Sequence, residues 1–168
     1  MLAGCDQITD AFPDLKNLSV LPKGSDESET RKVPPPIDLL LPHKISVHPF
    51  TGTRTFDQAG GARGFDVRIE ATDSFGDPTK AFGDFRFELY DYRPFSPDPK
   101  GTKIATWRES LLEPKRNLQH WDNIAKRYQF KLQWGQPIPA GQRFVLVATF
   151  TSPFTGRLFD QHIFVSGE

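Results

Sequence analysis

This sequence predicts an all-β fold, an antiparallel β-sandwich of about seven strands with one short helical connection. Three observations carry that prediction. In several short segments apolar residues recur at every second position, the period of a half-buried strand. Fifteen prolines and 13 glycines cut the 168 residues into short pieces, as an all-β domain with many turns requires. The 15 phenylalanines supply a core, although only 37% of the residues are hydrophobic.

Lys44 to His48 alternates and reads as the first strand. Thr51 to Gly64, rich in Gly and Thr, reads as a loop. Phe65, Val67, Ile69 and Ala71 alternate with Asp66, Arg68, Glu70 and Thr72, giving a strand with one buried face. Ser74 to Pro78 is a turn. Phe85, Phe87 and Leu89 then alternate with Asp84, Arg86 and Glu88, with Tyr90 and Tyr92 on the polar side. The proline-rich stretch from Pro94 to Gly101 is a loop, and Lys103 to Arg108 is a short strand.

Between Pro114 and Arg127 the period changes. Leu118, Trp121, Ile124 and Ala125 lie three or four apart, which predicts one or two amphipathic helical turns. Tyr128, Phe130, Leu132 and Trp134 restore the alternation. Pro137 to Gly141 turns the chain. Phe144 to Thr151 is nearly continuous in apolar and β-branched residues, so it reads as a central strand covered on both faces. Pro153 to Gly156 is a hairpin turn and Leu158 to Val165 the closing strand. With no Cys-Trp-Cys pattern, the sandwich is immunoglobulin-like or transthyretin-like without the antibody disulfide.

The sandwich occupies residues 43–168, and residues 1–42 form a tail. Pro22 to Lys32 is too polar to bury a core of its own. Pro34-Pro35-Pro36 favours stiff polyproline II. A flexible tail of this length reaches roughly 30–37 Å, enough to hold a domain clear of a bilayer. Ile8, Phe12, Leu15 and Leu18 recur at helical spacing, but Pro13 limits them to a short docked turn.

Composition excludes several function classes. The 21 basic residues balance 21 acidic ones, so the chain lacks the overall basic excess that marks a nucleic-acid-binding domain. No run approaches the roughly 20 apolar residues of a membrane-spanning helix. A single cysteine forms no internal disulfide. His43, His48, His120 and His162 show no metal-binding spacing. No nucleophile elbow or phosphate loop is present. The sequence thus predicts no metal, no cofactor and no catalytic residue, and a non-enzymatic role. Asp73-Ser74-Phe75-Gly76-Asp77 has too few oxygens in register for calcium and reads as a polar turn.

Leu2-Ala3-Gly4-Cys5 resembles the lipobox that ends a bacterial lipoprotein signal peptide. The resemblance implies a diacylglycerol on the Cys5 thiol and an export signal upstream of Leu2. It also implies a location in the bacterial cell envelope, membrane-anchored and facing the periplasm or the cell exterior. Each buried acyl methylene contributes about 0.8 kcal/mol to anchoring. Without the lipid, Cys5 is an ordinary free thiol near a chain end. Lipobox, tether and sandwich together are similar in architecture to the small transthyretin-like lipoproteins of the type VI secretion membrane complex. No partner residues are carried over from them.

Two functional expectations result. In the first, the sandwich is a protein-binding or structural module of the envelope, with Phe95 in the proline-rich loop and Phe154 in the hairpin as contact residues for another envelope protein, since apolar loop tips mark partner surfaces. The same two residues could instead fold back as loop anchors. In the alternative, the domain is a cell-surface carbohydrate-binding module. Trp107, Trp121 and Trp134, with Tyr90, Tyr92 and Tyr128, would then form an exposed stacking platform.

Overall fold

The alternation at Phe65, Val67, Ile69 and Ala71 is the backbone of the observed architecture: all four side chains are buried. In the computed structural model, described over residues 40–56 and 63–167, they lie on β3 (Arg63–Thr72). One edge of β3 pairs with β1 (Lys44–Val47) and β2 (Gly52–Thr55), the other with β7 (Arg127–Trp134), whose outer neighbour is β6 (Trp121–Asp122). The second sheet has the order β5-β4-β8-β9, built from β5 (Lys100–Ser110), β4 (Asp84–Tyr92), β8 (Arg143–Thr151) and β9 (Leu158–Val165). Every pairing is antiparallel. The fold is therefore an all-β sandwich with one short helix, α1 (Pro114–His120), among the described residues. Cys5 and residues 1–39 of the expected tail lie outside those residues, as does the docked turn around Ile8, Phe12, Leu15 and Leu18.

The inward faces meet in a phenylalanine-rich core. Phe85 lies 4.8 Å from Phe150 on its own sheet and 5.2 Å from Phe130 on the opposite one. Phe87 is 4.9 Å from Phe130. Full burial of such a side chain contributes about 1.5–3 kcal/mol, so this cluster is what couples the sheets. β8 is covered on both faces: Phe144, Leu146, Ala148 and Phe150 point inward, while Val145 and Thr149 on the other face are also buried.

The sheet edges are bridged by polar groups. The Trp107 indole N–H of β5 donates to the Gln133 carbonyl of β7 at 2.9 Å. Opposite, the Val47 N–H of β1 donates to the Asp160 carboxylate of β9 at 2.7 Å. Each bond occupies an edge group that would otherwise be open to another chain.

Two segments correct the sequence reading. The expected loop from Thr51 begins as β2, which continues the line of β1 after a bulge. In that bulge the Thr51 hydroxyl takes the Arg68 N–H at 3.1 Å. β2 gave no periodic signal because its residues sit at an edge and bury nothing in the core. The expected helical connection is a helix only to His120. Trp121 and Asp122 then pair with β7, and the Asp122 carboxylate holds the Ile124 and Ala125 N–H groups in a turn. Leu118 and Ile124, expected on a buried helical stripe, are exposed.

Candidate functional site

The outward face of the four-stranded sheet follows from the same alternation that builds the core. With Phe85, Phe87 and Leu89 turned in, Asp84, Arg86, Glu88 and Tyr90 must point out. Register then aligns Arg108 of β5, Arg86 of β4, Thr149 of β8 and Phe159 of β9 in one row across the sheet.

Arg108, Arg86 and Thr149 of this row line a cleft of about 590 Å³. Four arginines line it: Arg86, Arg108, Arg116 from α1 and Arg157 from the β8–β9 hairpin. Only Arg86 has a carboxylate within ion-pair distance, Glu88 at 3.6 Å, among the described residues. Glu88 is more closely held by Lys103 at 2.5 Å, and that hydrogen bond keeps its carboxyl below the usual glutamate range. Glu109 also lines the cleft, but it faces His120 at 3.8 Å. On the floor, Thr149 is buried and its hydroxyl has no hydrogen-bond partner.

Beside the cleft runs an apolar stripe. Phe159, Ile163 and Val165 point outward from β9 and are exposed. The positions between Leu158 and Phe164 that turn the other way are Asp160 and His162, both polar. The edge strand thus carries apolar residues on both faces: Leu158 and Phe164 pack against the core, while Phe159, Ile163 and Val165 share the outward face with Gln161.

Both loop residues singled out from the sequence belong to hairpins of this sheet. Phe95 is fully exposed between β4 and β5, in the left-handed region at φ 56°. Phe154, between β8 and β9, is exposed and 5.8 Å from the Phe82 ring. β4 and β8 pair Asp84 with Thr151 at one end and Asp91 with Phe144 at the other. The two aromatics therefore sit at opposite ends of the sheet, about 25 Å apart along the strands.

The chain matches no protein-family model, no curated protein and no solved structure.

The remaining candidates resolve into structural roles. Trp107, Trp121 and Trp134 are half-buried against the core. Trp107 meets Trp134 edge-on at 60°, and Trp121 meets Tyr128 at 67°. They form no flat platform, and Tyr128 is buried. Tyr90 and Tyr92 are half-buried, covered by Lys103 and Arg143 respectively. The Asp73 carboxylate accepts the Phe75 and Asp77 N–H groups, so the 73–77 segment is a turn closed by its own side chain. No group of three or more potential metal ligands occurs among the described residues. His48 lies 3.6 Å from Glu70, beyond hydrogen-bond length. Buried Asp66, on the other sheet, is held by Arg68 at 3.2 Å and Gln129 at 2.8 Å, a structural network.

Sequence reading missed the arginine cleft and the β9 stripe. The cleft arginines are far apart in sequence, and only the β4–β5 and β4–β8 registers join them. In β9, apolar residues occupy both parities, so alternation could not say which set faces solvent.

Proposed function

We propose that this chain is a lipid-anchored envelope protein. In this reading its immunoglobulin-like or transthyretin-like sandwich binds another envelope protein and catalyses no reaction. The outward stripe of Phe159, Ile163 and Val165 on β9 carries the reading. An exposed apolar row on an edge strand is an aggregation hazard unless a partner covers it. Phe95 and Phe154 extend the contact along the same sheet. Cys5 would carry the acyl chains, and the tail would set the reach from the membrane.

The carbohydrate alternative depended on coplanar, exposed tryptophans, and the edge-on, half-buried geometry of the three does not favour it.

The test is expression with the natural upstream region in the native host, with a photo-crosslinking residue at position 163. An acylated Cys5 peptide, release of Cys5→Ser from membranes and a discrete crosslink to one envelope protein support the proposal. An unmodified thiol on a freely partitioning protein would overturn the anchor. A crosslink that survives Phe159→Ser with Val165→Ser unchanged would overturn the contact face.

A further inference from the structure

We propose that the cleft floored by Thr149 is an oxyanion site, taking a phosphate- or carboxylate-bearing ligand. The inference concerns a separate part of the molecule from the β9 stripe and depends neither on the lipid nor on a protein partner.

The argument starts from a cost. Arg86 and Arg108 are directly opposite on neighbouring strands, and like charges in that position destabilise a sheet. Arg157 and Arg116 bring two further positive charges to the same cleft. Yet the chain as a whole is neutral, with 21 basic and 21 acidic residues. The positive charge is therefore local and only partly offset: Glu88 is shared between Lys103 and Arg86, and Glu109 faces His120. Asp84 is at the rim and exposed. Among the described residues Arg108, Arg116 and Arg157 have no carboxylate within 4.0 Å.

The chemistry of the donors specifies the ligand. Guanidinium groups present planar forks that match the paired oxygens of carboxylate and phosphate. Thr149 also lines the cleft, and its buried hydroxyl has no hydrogen-bond partner of its own. A volume of about 590 Å³ is within the range of small-ligand sites. A bound anion would offset the Arg86–Arg108 repulsion, so ligand binding and sheet stability should be coupled.

The test is calorimetric and thermal titration of the full chain at constant ionic strength. Constant ionic strength matters because salt screens exposed charges. The probes are inorganic pyrophosphate and a tetraglutamate peptide. The expected result is saturable one-to-one binding of at least one probe. It should weaken tenfold or more in Arg86→Gln/Arg108→Gln and stay unchanged in Lys131→Gln, a basic residue on the opposite sheet. Response to pyrophosphate alone identifies a phosphate ligand; response to tetraglutamate identifies a carboxylate one. Ligand-free Arg108→Gln should melt above the parent and gain less from the probe. Thr149→Val, which leaves every charge in place, should also weaken binding. No saturable binding of either probe, or equal weakening by Lys131→Gln, would overturn the proposal.

Discussion

The Tyr128 hydroxyl donates to the Asn117 side-chain oxygen at 2.9 Å and accepts the Ala81 N–H at 2.9 Å. Asn117 in turn donates to the Ala81 and Leu111 carbonyls. One buried phenol thus joins β7, α1 and the segment leading into β4. Tyr128→Phe leaves the Ala81 N–H without its acceptor, which costs about 1–3 kcal/mol. Asn117→Ala should cost a similar amount, and the double variant less than the sum, because both act on one network. Urea unfolding of the three variants checks this; strict additivity would mean the groups are not coupled.

Burial also pushes the Tyr128 hydroxyl up to about 12 from its usual 10.0. A raised folded value means the unfolded chain loses its proton first. The stabilisation is therefore complete below pH 10 and declines as pH rises towards 12. Phenolate absorbance in the native protein should show one tyrosine that ionises later than the rest, and Tyr128→Phe should remove that late step.

Gly64 is fixed by close approach. A Cβ there would lie 2.0 Å from the Leu132 carbonyl oxygen of the paired strand and 2.9 Å from the Phe56 ring. Gly64→Ala must push β7 aside or break the β2–β3–β7 register. Overpacking of this kind costs about 1–3 kcal/mol, whereas Gly52→Ala, with open space at its Cβ, should be nearly neutral. Thermal melts of the pair would test the contrast, and equal stability would show that the strands yield freely.

The part of the fold that sequence revealed is the part that buries apolar side chains at period two. Phe65, Phe85, Phe130 and Phe144 each announced a strand and each lies in the core. β2 and β6 were invisible because pairing there rests on backbone hydrogen bonds, the Thr51 hydroxyl and the Asp122 turn, none of which imposes a hydrophobic period. Leu118 and Ile124 gave a false signal, since helical spacing alone does not guarantee burial. The cleft arginines were illegible for another reason. A charged residue on an outward strand position is ordinary by itself, and only the register reveals that Arg86 faces Arg108.

Three groups should make stability depend on pH in acid: His48, Glu88 and Asp122, the last held low by the Ala125 and Ile124 N–H groups. Burial lowers His48, with the neighbouring Arg127 charge adding to it. Its neutral form is favoured in the fold, so its contribution is complete above the unfolded value of 6.5 and falls away as pH drops below that. The Lys103 hydrogen bond lowers Glu88, so its contribution is complete above 4.5 and lost as pH falls through the depressed folded value. Asp122 has the same sign, its contribution complete above 3.8 and lost through its own depressed value. Unfolding midpoints measured across pH should decline in two stages, with the two carboxylates sharing the lower one. His48→Asn should flatten the upper stage and Glu88→Gln part of the lower one; a profile unchanged in both variants would remove His48 and Glu88 as the cause.

Phe95 combines two costs that a stable fold has no reason to keep. Its ring is fully exposed, and its backbone sits at φ 56°. A non-glycine residue pays roughly 1–2 kcal/mol in the left-handed region. Glycine removes that strain but loses somewhat more entropy on folding. Phe95→Gly should therefore leave stability unchanged or raise it by up to about 1 kcal/mol. If Phe95 is a partner contact, the same change should weaken capture of the partner crosslinked through position 163. Phe95→Asn, which tolerates the same backbone, should behave alike in both assays. A clear loss of stability in Phe95→Gly would instead make the ring a loop anchor. Stable variants with undiminished capture would confine the contact to β9 and the Phe154 hairpin.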